Sequence, residues 1–202
     1  MVRFVEGYTH KVKGVVKMKK KSLNYLTEFE VSCQTMAIIP VTIGDSKYSR
    51  VLETDGEYIV AMKPIDIVEH SCRYFGSSLK GRREGTKELT GVTHKSPIIV
   101  EATSMIYLFP TASPTKPQCA WISHAHVLKR DSGGYGKTSV FFQNGKTISL
   151  PVSVGSFTSQ LQRTAQLRTI MSGRLEKKER KMNFIVNAPN HNKPNLIEID
   201  KY

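Results

Sequence analysis

Short alternating or β-branched runs fill the first two-thirds of the chain: Asn24 to Ser32, Thr35 to Val41, Arg50 to Leu52, Tyr58 to Met62, Pro97 to Val100, Met105 to Phe109 and Ala120 to Val127. Such runs predict strands, because period-two patterning puts one face of a pleated segment in a core. Asp55-Gly56 lies between Val51 and Tyr58, and Asn144-Gly145 lies between Val140-Phe141-Phe142 and Thr147-Ile148-Ser149-Leu150. Both dipeptides predict hairpin turns, since Gly and Asn tolerate positive φ. A two-residue turn at Asn144-Gly145 would set Phe141 opposite Ile148 on a core-facing side.

Two segments change period. Pro64 suits a first helical turn, and Ile65, Ile67, Val68, Cys72 and Phe75 recur at helical spacing until Gly76 ends the run. A longer helix is predicted from an N-cap at Ser156 toward Lys181, with Gly173 as a point of breakage or kinking. At about 100° per residue, Phe157, Leu161, Ala165, Leu167, Met171 and Leu175 share one arc, while Arg163, Arg174, Lys177 and Lys181 line one flank. Arg168 falls inside the apolar arc, either as a buried structural cation or aimed at a ligand. Beyond Lys181 the prolines and asparagines read as an extended tail. The expectation is an α+β, strand-rich single domain with antiparallel hairpins, a short central helix and a basic C-terminal helix. It spans residues 23–181, between a basic N-terminal extension (1–22) and a tail (182–202).

Composition narrows the partner. Thirty Lys and Arg against 17 Asp and Glu leave a formal charge of +13, which calls for an anionic partner, nucleic acid first among them. The longest apolar stretches are strand-length and far short of a membrane span. The first 21 residues are basic but contain no apolar signal core, so the chain is expected in the cytoplasm without a membrane partner. Cys33, Cys72 and Cys119 are odd in number and widely spaced, which suits free thiols in a reducing compartment.

Candidate chemistry concentrates between Ser71 and Lys87, where cations, hydroxyls and glycines crowd together. Glycine lets backbone N–H groups approach phosphate oxygens, short hydroxyls add donors and Arg adds a planar fork; a solvated basic loop is the plainer alternative. Gly76 and Gly81 have the spacing of a nucleotide-binding loop, but Arg82-Arg83 stands where Lys and then Ser or Thr would bind phosphate and magnesium, so no ATPase is read. His70, Cys72, Cys119, His124 and His126 match no common structural zinc spacing. His94, His124 and His126 accompany no sequence-level catalytic motif. A metal-dependent phosphodiesterase and a non-specific nucleic-acid-binding protein stand as alternatives, and no cofactor is expected.

The segments Met62-Lys63-Pro64, Ser71-Cys72-Arg73 to Gly76-Ser77-Ser78, Gly81-Arg82, Gly85-Thr86, His94-Lys95, Leu108-Phe109-Pro110-Thr111, Pro117-Gln118-Cys119, Trp121-Ile122-Ser123-His124, Asn144-Gly145-Lys146-Thr147 and Gln162-Arg163-Thr164-Ala165 together resemble the competence transcription factor (ComK) family. The resemblance runs from about Leu26 to Thr169. It implies an activator of DNA-uptake genes that binds A·T-rich double-stranded DNA largely through the minor groove, as associated dimers, and works with RNA polymerase at the nucleoid. A narrow A-tract groove attracts inserted arginines, which fits Arg73, Arg82, Arg83, Arg163 and Arg168; Arg174 and Ser77 are further DNA-binding candidates. Lys80, Lys87 and Lys95 suit phosphates. The family is also controlled by a proteolytic adaptor and an ATP-dependent protease that recognise a hydrophobic stretch in the C-terminal arm; Phe184-Ile185-Val186 is the nearest stretch here. Residues 1–22 have no counterpart in the family, and are read either as a basic arm or as a leader upstream of a start at Met18.

Overall fold

The structure is a computed structural model that describes residues 24–187, with side chains as far as Met182. Ten strands and three helices follow in the order β1 (Asn24–Leu26), β2 (Thr35–Ile43), β3 (Ser46–Glu53), β4 (Glu57–Val60), α1 (Pro64–Tyr74), α2 (Leu79–Thr90), β5 (Ile98–Glu101), β6 (Ile106–Pro110), β7 (Trp121–Ser123), a 3₁₀ turn at His124–His126, β8 (Val127–Ser132), β9 (Thr138–Phe142), β10 (Thr147–Leu150) and α3 (Val154–Asn187). This is the expected α+β, strand-rich architecture. Seven strands make one sheet in the order β1-β4-β3-β2-β7-β6-β5, and β10-β9-β8 make a second. Among the described residues, only β1 with β4 is a parallel pair.

Period-two alternation divides the large sheet's side chains between two cores. On one face Ile38, Val51, Val60, Ile98, Leu108 and Trp121 pack under Ile67, Val68 and Cys72 of α1 and Leu79 of α2. On the other, Ala37, Leu52, Phe109 and Ile122 meet Val140, Phe142 and Leu150 of the small sheet and Phe157 of α3. The rings of Phe109 and Phe157 meet edge-on, 5.3 Å between centroids. Strands β6 and β7 are buried along their whole length, which is why they read as continuous apolar runs. A third cluster, Ile99, Tyr107 and Leu167 with Leu89 and Met171, closes the β5 side where α2 and α3 converge.

The two turns read from the sequence form and dock on each other. Lys146 Nζ donates to the carbonyls of Glu53 (2.8 Å) and Gly56 (2.9 Å), and Asn144 Nδ2 donates to that of Thr54 (2.9 Å). Their geometry differs from the expectation. Phe141 faces Thr147 and Val140 faces Ile148, because the connection is a three-residue loop: Gly145 N bonds to Phe142 O, Phe142 N bonds to Lys146 O, and Gly145 alone takes φ 83. The extra residue shifts the register by one, and a one-residue slip turns every side chain over. Val140 and Phe142 are therefore core, while Phe141 faces outward under Lys129, whose Nζ lies 4.5 Å from its ring centroid. At the other hairpin Gly56 is not left-handed; it lies beneath Tyr58, whose hydroxyl would sit 3.3 Å from an added Cβ.

Three further expectations are corrected. The predicted strand from Asn24 to Ser32 is only three residues long. The long helix begins at Val154, with Ser153 Oγ accepting from Ser156 N at 3.3 Å, so the cap lies three residues before Ser156. It passes Gly173 unbroken and continues to Asn187, so residues 182–187 are helical rather than extended. Residues 1–22 and the tail after Asn187 lie outside the described residues.

Candidate nucleic-acid interface

The segment read as a glycine-rich phosphate loop is instead the second of two helices joined by the four residues Phe75 to Ser78. Helix α2 contains Gly81 and Gly85 in its first two turns, which alone disfavours a helix by about 1 kcal/mol each. Capping and packing overcome this. Ser78 Oγ accepts from Gly81 N (3.0 Å), Gly91 closes the other end at φ 72, and Leu79 and Thr86 are buried. Glu69 of α1 joins the helices, accepting from Leu79 N (3.0 Å) with one oxygen and from Arg73 Nε (2.9 Å) with the other. The Thr86 hydroxyl donates to Pro97 O at 2.8 Å, holding α2 to the start of β5. Gly81 N is used by the cap, so it is not free to bind a phosphate.

Positions 80, 83, 84 and 87 share one side of a helix. Lys80, Arg83, Glu84 and Lys87 form an exposed ridge there, and with Val92, Thr93 and Ser96 they line an open groove of about 360 Å³. Lys80 pairs loosely with Glu84 at 3.9 Å; Arg83 and Lys87 make no ion pair among the described residues. The far wall, the loop 92–96, is held by α3. Gln160 Nε2 donates to Lys95 O (2.6 Å) and to Pro110 O (2.9 Å), and Arg163 Nη1 reaches His94 O (3.4 Å) and Gln160 Oε1 (3.3 Å). Lys95 is itself left-handed at φ 48 and exposed. The fold thus sets Lys80, Arg83 and Lys87 along one groove, with Lys95 in the loop of its far wall and Arg163 among the α3 side chains that hold that loop.

Other candidates lie elsewhere. Arg82 folds back on the α1–α2 corner, half-buried, with Nη2 3.4 Å from Phe75 O and Nε without a partner. Arg73 is exposed but tied to Glu69. Ser77 is half-buried, its N–H donating to Cys72 O at 2.9 Å. Arg174 shares the azimuth of Arg163 on α3, three turns further along and past the last fully buried residue, Leu167. Arg168 lies on the opposite flank with His124, Ala165, Thr169 and Glu176 around a second groove. Burial, and then the Arg168 charge, hold the His124 pKa below its ordinary value. Phe184, Ile185 and Val186 are in the last turns of α3, and their side chains lie outside the described residues. Sequence reasoning missed Glu69 and Gln160, the two positioning side chains, because neither carries a motif.

The histidines and cysteines do not converge. His70 contacts Glu30 at 3.0 Å, His126 contacts Cys33 O at 2.8 Å, and burial raises the pKa of Cys119 and pushes that of Cys72 up to about 11. Among the described residues no three His, Cys, Asp or Glu side chains are grouped to hold a metal ion. No described helix is long and apolar enough to cross a membrane.

Residues 26–176 match the model of a family described as ComK protein. The chain is 42% identical over 180 residues to the competence transcription factor of Bacillus subtilis (strain 168), covering 89% of this chain and 94% of that protein. No solved structure matches it.

Proposed function

This chain belongs to the ComK protein family, and from that premise we propose that it is a DNA-binding transcriptional activator of competence genes. It acts in the cytoplasm, at the nucleoid, on A·T-rich promoter DNA. The observation that carries the DNA surface is the exposed row of Lys80, Arg83 and Lys87 on α2 along one open groove, whose far wall, the loop 92–96, is held by Gln160 and Arg163 of α3. Lysines there neutralise phosphates and fix the register, while an arginine reaches past the rim into a narrow, strongly negative A-tract groove. Dimers associated on DNA, RNA polymerase, and control by a proteolytic adaptor with its ATP-dependent protease at Phe184-Ile185-Val186 belong to the same reading.

Binding to A·T-rich and G·C-rich duplexes across a salt series tests it. With 6 to 10 phosphates neutralised, log K falls against log salt at about −0.9 per contact. Replacing the A-runs with G·C pairs, or adding a minor-groove competitor, should weaken binding. Indifference to both would leave only a polycation and overturn the reading.

A further inference from the structure

A helix with its side chains is about 10–12 Å across, and the minor groove is about 6 Å wide. Helix α2 can therefore lay side chains on a groove rim but cannot enter it. The β8–β9 hairpin is thinner, and its end is unusual. Its strands are Val127–Ser132 and Thr138–Phe142, and all of β8 after Val127 is exposed. The tip is Gly133-Gly134-Tyr135-Gly136. Lys137 N donates to Gly134 O (2.9 Å) and Gly133 N to Lys137 O (3.0 Å). The central residues of this tight turn, Tyr135 at φ 43 and Gly136 at φ 73, are both left-handed.

Such a position favours Gly or Asn and disfavours an aromatic residue. Tyr135 nevertheless occupies it, fully exposed at 107%, so the fold uses none of its ring. The glycines beside it add no side chains, which keeps the apex narrow, and the stem carries Lys129, Arg130 and Lys137 against a single acid, Asp131. Arg130 Nε is anchored to Thr158 Oγ1 on α3 at 2.8 Å, which braces the hairpin against the body.

We propose that this hairpin is a second DNA-binding element, whose tip enters the minor groove of A·T-rich DNA and presses the Tyr135 ring against a base step while the stem cations meet the flanking phosphates. Apolar and aromatic wedges act this way in minor-groove proteins, and A·T-rich sites contain the easily unstacked TA steps. The inference rests on the DNA-binding reading above, and it names an element that takes no part in the α2 groove.

The test uses the full chain and an A·T-rich duplex carrying 2-aminopurine in place of the adenine of a TA step, whose fluorescence rises when the base is unstacked. Wild-type protein should bind and raise the signal. Tyr135→Ala should bind roughly tenfold more weakly and lose the signal, and Tyr135→Phe should keep both. Because the ring is not packed, thermal unfolding of Tyr135→Ala should show no loss of stability, so a folding defect is separable. If wild-type protein binds with an A·T preference and Tyr135→Ala matches it in affinity and signal, the wedge is wrong even if activation is lost, and the tip then contacts protein. If wild-type protein binds neither A·T-rich nor G·C-rich duplex, the DNA-binding reading fails and the wedge with it.

Discussion

Gln160, buried on α3, donates its side-chain amide to the main-chain carbonyl of Lys95 at 2.6 Å across 65 residues of sequence, and to Pro110 O at 2.9 Å. One amide thus fixes the loop that carries Lys95 to the end of strand β6. Gln160→Ala should leave two carbonyls short of a partner and lower stability by about 2 kcal/mol, read as a lower urea midpoint at unchanged m value. It should also weaken DNA binding more than the stability loss explains, because Lys95 would no longer be held beside the α2 ridge.

Helix α2 offers a cleaner separation of folding from binding. An added Cβ at Gly85 would meet nothing within 4 Å, and its φ is not left-handed. Gly85→Ala should therefore stabilise the protein by about 0.5–1 kcal/mol through helix propensity and reduced unfolded-state entropy. Ser78→Ala, by contrast, removes the cap on Gly81 N and should cost about 1 kcal/mol. If Gly85→Ala stabilises the chain but weakens DNA binding, the glycine serves close approach of the helix to the duplex. Unchanged binding would make it merely tolerated.

Why α2 escaped the sequence reading is physical. Its mean composition, Leu-Lys-Gly-Arg-Arg-Glu-Gly-Thr-Lys-Glu-Leu-Thr, offers few apolar positions for a helical period, and the two glycines argue for a loop. The stabilising contacts are Glu69 to Leu79 N and Thr86 to Pro97 O, neither of which exists in local pattern. Helix α1 was legible because Pro64 and its apolar spacing act locally. The large sheet's buried strands were legible for the same reason. The last hairpin was legible in place and not in register, since Asn-Gly serves two-residue and three-residue loops alike and only the hydrogen bonds of Gly145 and Lys146 distinguish them. Among the candidate site residues, clustering in sequence did not mean clustering in space: Arg82 and Arg83 are neighbours, yet one faces the α1–α2 corner and the other the groove.

His124 makes stability depend on pH. Its folded pKa is depressed below 6.5, first by burial and then by Arg168, so between that folded value and 6.5 the unfolded chain binds a proton that the native one refuses. Stability from this group is complete above pH 6.5 and is lost as pH falls toward the folded pKa. Denaturant titrations between pH 5 and pH 8 should show wild-type stability falling toward acid, with a shallower fall in His124→Gln. An equal fall in both would assign the pH dependence to other groups.

Neighbouring arginines should separate in their effects. Arg82 is half-buried against Phe75 O, so Arg82→Ala should lower stability by about 1 kcal/mol and reduce DNA affinity on all sequences alike, in proportion to any unfolding. Arg83 and Lys87 face the groove and make no ion pair among the described residues, so neither substitution should change the thermal midpoint measurably. On the proposed reading, Lys87→Ala removes a phosphate contact. It should weaken A·T-rich and G·C-rich duplexes equally and flatten the salt slope by roughly one unit per binding subunit. Arg83→Ala should weaken the A·T-rich duplex more, because an inserted guanidinium senses groove width and potential that G·C pairs do not supply. Parallel salt series on the three variants distinguish these outcomes. A sequence-selective loss in Arg82→Ala with none in Arg83→Ala would mean that Arg82 leaves its corner on binding and that the groove-facing ridge is not the reading surface.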